Sequence, residues 1–137
     1  MTDHQDRQDV SDVLIRYATG IDRRDWSLFR NVFAEDCELD YGKIGSWRGV
    51  EAVTEFMVQA HAQAGHTLHR LSNIAVTVNG DRAQARSYVD VLVLSSDNTA
   101  GVNAAGFYDD ELVRAVDGWR IARRRFTAVW MTTVGQT

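Results

Sequence analysis

With 137 residues, 45% of them apolar and 25% charged, the chain reads as one globular domain over residues 1–137, with enough apolar mass to bury about two thirds of its unfolded surface. A formal net charge of −4 argues against a nucleic-acid partner, which requires clustered excess cations. The single Cys37 rules out an intrachain disulfide and a cysteine zinc centre. Together with the polar start MTDHQDRQDV and the lack of any apolar run near ~18 residues, it points to a cytoplasmic protein with no membrane contact.

Helical periodicity opens the chain. Val10, Val13, Leu14, Tyr17, Ala18 and Ile21 fall on one stripe of an amphipathic helix that ends near Gly20. Asp25 is placed to cap a second, short helix whose apolar face is Trp26, Phe29, Val32 and Phe33. Glu38 to Tyr41 reads as a short strand and Gly42 to Gly49 as a loop carrying Trp47. Val53, Phe56, Met57 and Ala60 mark a third helix, finished by Gly65.

From His66 onward, β-branched residues and turn signals take over. Asn79-Gly80 predicts a two-residue hairpin, and Asp117-Gly118 predicts another. Helices followed by four long antiparallel strands make an α+β domain. A strongly curved antiparallel sheet packed on three N-terminal helices would enclose a cone-shaped cavity. The basic cluster Arg120, Arg123, Arg124 and Arg125 then reads as half of a cross-strand ion-pair ladder. A strict second turn places Glu111 opposite Arg124 and Asp110 opposite Arg125.

The residues able to carry chemistry are few. Tyr17 lies on the buried stripe of the first helix, where it is either ordinary core or a polar group aimed into a cavity. Asp22, five residues on, reads as a solvated charge or as something more, because an aspartate at a helix C-terminus opposes the macrodipole. His61, His66 and His69 cluster in sequence without a metal-ligand spacing, so no metal site is expected. His69 stands apart because a strand fixes its direction.

The string from Tyr17 through Asp22 and Trp26 to Phe33-Ala34-Glu35-Asp36, then Tyr41, Arg48-Gly49, Thr67-Leu68-His69 and Asn73, resembles the SnoaL-like branch of the nuclear transport factor two-like superfamily. Tyr108-Asp109-Asp110-Glu111 and Asp117-Gly118-Trp119-Arg120-Ile121 are similar as well. The resemblance implies the cystatin-like cone-shaped fold and a homodimer through the open sheet face. It is nearest in motif to scytalone dehydratase, bile acid dehydratase and hexachlorocyclohexane dehydrochlorinase. These pair an aspartate after the first helix with a histidine opening a strand, matched here by Asp22 and His69. Tyr17 matches the tyrosine of bile acid dehydratase, and Arg124 an arginine on the final strand of the dehydrochlorinase.

What the resemblance implies is a lyase of dehydratase type without cofactor, acting on a small hydrophobic cyclic or aromatic ligand. The superfamily also holds ketosteroid-isomerase-like and polyketide-cyclase-like enzymes, ligand-binding proteins and dioxygenase small subunits. The chemistry fits the residues. An imidazole, with an ordinary pKa of ~6.5, is a general base suited to neutral pH, and a carboxylate on its other nitrogen fixes the tautomer. Asp22 would orient, His69 would abstract a proton, Tyr17 would hydrogen-bond an oxygen, and Arg124 would stabilise developing anionic charge.

One deduction runs against this arrangement. Regular strands around a strict Asn79-Gly80 turn put His69 on the face of Arg86, Tyr88 and Asp90, away from Ile74, Val76, Ala83, Ala85, Val89 and Val91. A bulge between His69 and Ile74 would be needed to bring it into the cavity; otherwise it pairs with Asp90 outside. The expected pocket walls are Phe107, Phe126 and Ala128 on the sheet, with Phe107 opposite Ala128, and Tyr41, Trp47 and Phe56 across from them. Leu92, Leu94, Leu112, Val116 and Trp130 are expected on the outer face.

Overall fold

A computed structural model of the chain describes residues 3–135. Helix α1 (Asp3–Asp22) leads into α2 (Trp26–Arg30), where Asp25 Oδ1 accepts the Leu28 N–H at 3.1 Å as the N-cap. Strand β1 (Phe33–Asp40) starts five residues before the expected Glu38. A 3₁₀ turn at Gly42–Ile44, a short β2 (Ser46–Arg48) and α3 (Val50–His61) follow. Four long strands complete the chain: β3 (Thr67–Asn79), β4 (Arg82–Leu94), β5 (Ala100–Ala115) and β6 (Gly118–Gly135).

The strands form one curved, unclosed sheet in the order β2-β1-β6-β5-β4-β3, with β1 parallel to β6 and every other pair antiparallel. The helices cover one face. The expected stripe of α1 is the buried one: Val10, Val13, Leu14, Tyr17 and Ile21 are at most 1% exposed, packed against Phe29, Cys37, Leu39, Leu112 and Ile121. Gly20 lets α1 and α2 meet, because a Cβ there would lie 2.9 Å from the Phe29 nitrogen.

Register is where sequence reasoning slipped, by one residue at each hairpin. Asn79 pairs with Arg82, so the first turn is Gly80-Asp81, with Gly80 at φ +66°. Ala115 pairs with Gly118, so the second is Val116-Asp117. A register shift between Glu111 and Leu112 leaves Asp110 opposite Arg124, Glu111 opposite Arg123 and Asp109 opposite Arg125. Phe107 faces Thr127 across the strands, and Gly106 faces Ala128. Leu112 is 1% exposed and belongs to the core, not to the outer face; Val116 stands fully in solvent at the turn.

The outer face carries the expected ion-pair ladder, with different members. Arg123 lies between Glu38 (3.6 Å) and Glu111 (3.8 Å), Arg125 is 3.7 Å from Asp40, and Arg86 grips Asp109 with bonds of 2.7 and 3.1 Å. A groove of about 1040 Å³ runs over this ladder. It lies on the side opposite the helices, and its charged rows pair with one another. Further along the face, Leu68, Tyr88 and Trp130 are exposed.

Candidate active site

The bulge that His69 needs is present. The β3–β4 register shifts between Ser72 and Ala75, and Asn73 adopts φ +52°, a left-handed conformation that asparagine tolerates better than most residues. By bulging out of the ladder, the extra residue leaves the alternation of faces intact on either side of it. Thr67, His69 and Leu71 before it share the helix-facing side with Ile74, Val76 and Val78 after it. His69 pairs with Val91, not Asp90, whose carboxylate instead meets Arg70 and Asn103.

At the end of α1 the Asp22 carboxylate receives three donors. His69 Nδ1 lies 2.7 Å from Oδ1, the His69 backbone N–H donates to Oδ2 at 2.8 Å, and Thr67 Oγ1 is 2.9 Å from Oδ1. These donors account for an aspartate where the helix dipole disfavours one. Burial pushes the Asp22 carboxyl up, but the hydrogen bonds from His69 and Thr67 outweigh it and hold the group below its ordinary value. An ionised Asp22 facing Nδ1 makes that nitrogen the protonated one, which leaves the lone pair on Nε2. The pair is sheltered: the His69 side chain is 8% exposed and that of Asp22 20%.

Beside this pair the aromatic residues converge. Tyr17 packs edge-on to His69 at 6.2 Å, and its hydroxyl is 2.7 Å from that of Tyr41. Burial drives the phenols of Tyr41 and Tyr108 well above their ordinary pKa, so both are neutral donors. The guanidinium of Arg124 lies over Tyr108 at 3.7 Å and over Tyr17 at 4.2 Å. It is joined to Asp110 by bonds of 2.7 and 3.0 Å, with neither side chain exposed. Burial works against both charges and pushes the Asp110 carboxyl up. Asp110 and the tyrosines more than offset it for Arg124, whose guanidinium stays charged. Arg124 Nη1 and Ser87 Oγ are buried without a partner.

Of the expected walls, four assemble. Tyr41 packs on Phe126 at 5.7 Å and on Trp47 at 5.4 Å, and Trp47 packs on Phe56 at 4.4 Å. Phe107 does not join them: it lies under the Arg86 guanidinium on the outer face, because the true β5–β6 register puts Tyr108 opposite Phe126. Ala128, opposite Gly106, keeps the side of Phe126 and is exposed there. His61 approaches from α3 with Nδ1 2.7 Å from the Met57 carbonyl oxygen, and burial holds its imidazole below the ordinary value. His66 pairs with Asn98 away from the site.

Sequence reasoning missed Thr67, Tyr108, Asp110 and Arg24. Tyr108 and Asp110 lay in a quoted motif, but the register slip turned Asp110 outward. Among the described residues no group of His, Cys, Asp and Glu is arranged to hold a metal ion, and no helix is long and apolar enough to cross a membrane.

Comparison with known proteins agrees with this architecture. A family model described as a SnoaL-like domain matches residues 2–125. An uncharacterized protein of Mycobacterium tuberculosis (strain H37Rv) is 31% identical over 121 residues, which is 87% of this chain and 82% of that protein. A solved structure from Novosphingobium aromaticivorans, described as a proposed aromatic ring hydroxylase, is 30% identical with a TM-score of 0.84 over 99% of this chain and 96% of its own. A proposed scytalone dehydratase from the same organism shares the fold at 21% identity, TM-score 0.85, over 95% and 88% of the two chains. So does a type 2 hexachlorocyclohexane dehydrochlorinase at 18% identity, TM-score 0.85, over 96% and 90%. Matched along nearly its whole length, the chain belongs to the SnoaL-like domain family, within the nuclear transport factor two-like superfamily.

Proposed function

We propose that the protein is a cofactor-independent lyase of dehydratase type that acts on a small hydrophobic cyclic or aromatic substrate. The observation that carries the reading is the 2.7 Å contact of His69 Nδ1 with a carboxylate that already accepts two other hydrogen bonds. In this reading His69 Nε2 takes a proton from a carbon next to a carbonyl. The C–H electron pair shifts toward the carbonyl, whose oxygen is held by the Tyr17–Tyr41 hydroxyl pair. The β-hydroxyl then leaves, the imidazolium returns its proton to it, and the products are a conjugated alkene and water. Arg124 acts through the faces of Tyr17 and Tyr108, where its charge favours partial negative charge on the phenol oxygens. Trp47, Phe56 and Phe126 supply the apolar surroundings. The same residues would serve a ketosteroid-isomerase-like or polyketide-cyclase-like proton transfer if no leaving group were present.

The test is a panel of cyclic β-hydroxy ketones followed by the absorbance of the conjugated product and by deuterium uptake at the α-carbon. His69→Ala is expected to lower turnover by about 10²–10⁴ with the fold kept. Turnover that survives His69→Ala would remove the reading.

The 30% identity to the structure described as a proposed aromatic ring hydroxylase favours a second reading, a subunit resembling the small chain of a ring-hydroxylating dioxygenase. It requires stable co-purification with a larger iron-containing chain, and His69→Ala would leave that assembly intact. In either reading a second copy is the expected partner of the outer sheet face, where Tyr88 and Trp130 are exposed, and sedimentation checks it.

A further inference from the structure

Behind the Asp22–His69 contact lies a chain of donors that the proposed reaction does not itself use. Arg24 follows α1 in the left-handed region (φ +56°), a conformation disfavoured for a residue with a Cβ. Its guanidinium binds three acceptors there: Nη1 donates to the Ile21 carbonyl (2.8 Å) and to Thr67 Oγ1 (2.9 Å), and Nη2 donates to the Gly65 carbonyl (2.7 Å). Gly65 is itself pinned to the β4 end, with its N–H on the Leu94 carbonyl at 2.8 Å. The approach is close enough that a Cβ at Gly65 would lie 2.1 Å from the Ser95 oxygen.

Thr67 is 1% exposed, and its hydroxyl sits between Arg24 and Asp22 Oδ1. A guanidinium has no acceptor, so Thr67 Oγ1 must accept from Arg24 and give its one hydrogen to Asp22. The direction of the relay is therefore forced. His61 on α3 interacts electrostatically with Arg24, His69 and Asp22, and Asp22 is the one acid of that set.

We infer that Arg24 and Thr67 are positioning residues: their relay holds Asp22 as the acceptor of the pair, keeps the shared proton on His69 Nδ1, and so leaves Nε2 free to act as base. The inference rests on the reading of His69 as a base, and it assigns a role to two residues outside the reacting group. The Asp22 hydrogen bond from Thr67 is one of the causes that hold its carboxyl low.

The experiment follows Asp22 directly. The Asp22 13Cγ resonance is titrated with pH, and the His69 Nδ1 proton is observed, in Thr67→Val, Thr67→Ser and Arg24→Lys. Thr67→Val removes the hydroxyl and keeps the branched shape; Arg24→Lys keeps the charge but cannot bridge Ile21, Thr67 and Gly65 together. The Asp22 midpoint is expected to rise in Thr67→Val and in Arg24→Lys and to return to the wild-type position in Thr67→Ser. With one donor lost, Oδ1 binds Nδ1–H more strongly, and that proton moves downfield. An unmoved midpoint and proton resonance in a folded Thr67→Val or Arg24→Lys protein overturn the relay. Because the readout is Asp22 and not turnover, a shifted carboxyl in a protein with no lyase activity would keep the relay and remove the lyase reading, and the converse would remove the relay alone.

Discussion

The pair most exposed to experiment is Arg124 with Asp110. Asp110→Asn keeps the volume of the side chain and removes its charge, leaving a guanidinium 2% exposed as a residue with no counterion. Two charge-assisted bonds, at 2.7 and 3.0 Å, are lost or weakened where no water can replace them, since neither side chain is exposed. Hydrogen bonds to charged groups contribute about 1.5–3 kcal/mol each, and breaking a buried ion pair from one side costs about 3–5 kcal/mol. The faces of Tyr17 and Tyr108 still hold the cation, which places the expected loss in the lower half of that range, about 3–4 kcal/mol. In urea melts the midpoint should fall with an unchanged slope, and Tm should drop by about 10–15 °C. Replacing both partners, Asp110→Leu with Arg124→Met, removes the stranded charge and should return stability to within about 1–2 kcal/mol of wild type. An Asp110→Asn protein within about 1 kcal/mol of wild type would refute the argument, as would a double variant no better than the single one.

Burial pushes the Cys37 thiol up to about 11, so at pH 8 a thiol reagent should label it only after denaturation; rapid labelling of the folded protein would contradict that placement. Asn73→Gly should preserve the bulge and stability within about 1 kcal/mol, whereas Asn73→Val, forced to φ +52°, should cost about 1–2 kcal/mol in a urea melt. The lowered Asp22 carboxyl contributes stability in full above the ordinary unfolded value of ~3.9 and loses it as pH falls toward the folded value. Stability measured against pH should therefore fall more steeply on the acid side in wild type than in Asp22→Asn, and equal slopes would contradict the three-donor geometry.

The helical stripe and the two hairpins were legible because each is a local pattern: α1 buries the residues its period selects, and a Gly at positive φ sits in or beside each predicted turn. Which residues meet across strands was not legible. The turns fall one residue from the Asn-Gly and Asp-Gly pairs, and irregularities at Ser72/Ala75 and Glu111/Leu112 change the count again. Such shifts are set by sheet curvature and by what the other face must bury, neither of which a single strand reports. Asp22 and His69 were found through their match to the family's aspartate–histidine pairing; strand direction alone turned His69 outward, because the bulge at Asn73 leaves no mark in the sequence. Thr67 and Arg24 were not, since a threonine beside a histidine and an arginine in a charged run look the same whether bonded or solvated. The parallel pairing of β1 with β6 also left no local trace, and it is what carries Tyr41 to Phe126 and Arg124.

Strand β3 divides at Asn73 into two halves whose inward residues are odd-numbered before it and even-numbered after it, and the bulge is what lets them share a face. Deleting Asn73 would therefore be a trim: Ser72 stays opposite Tyr88, Ala75 opposite Arg86, and the imidazole at 69 keeps its side of the sheet. The switch is the bulge itself. If it were flattened with Asn73 kept and the Asn79 end of the hairpin held its register, the proximal half would turn over, presenting Leu68 and Arg70 to the helices and sending the imidazole at 69 into water. A backbone preference at one position thus decides between reactive interior and inert exterior without altering the identity of any other residue.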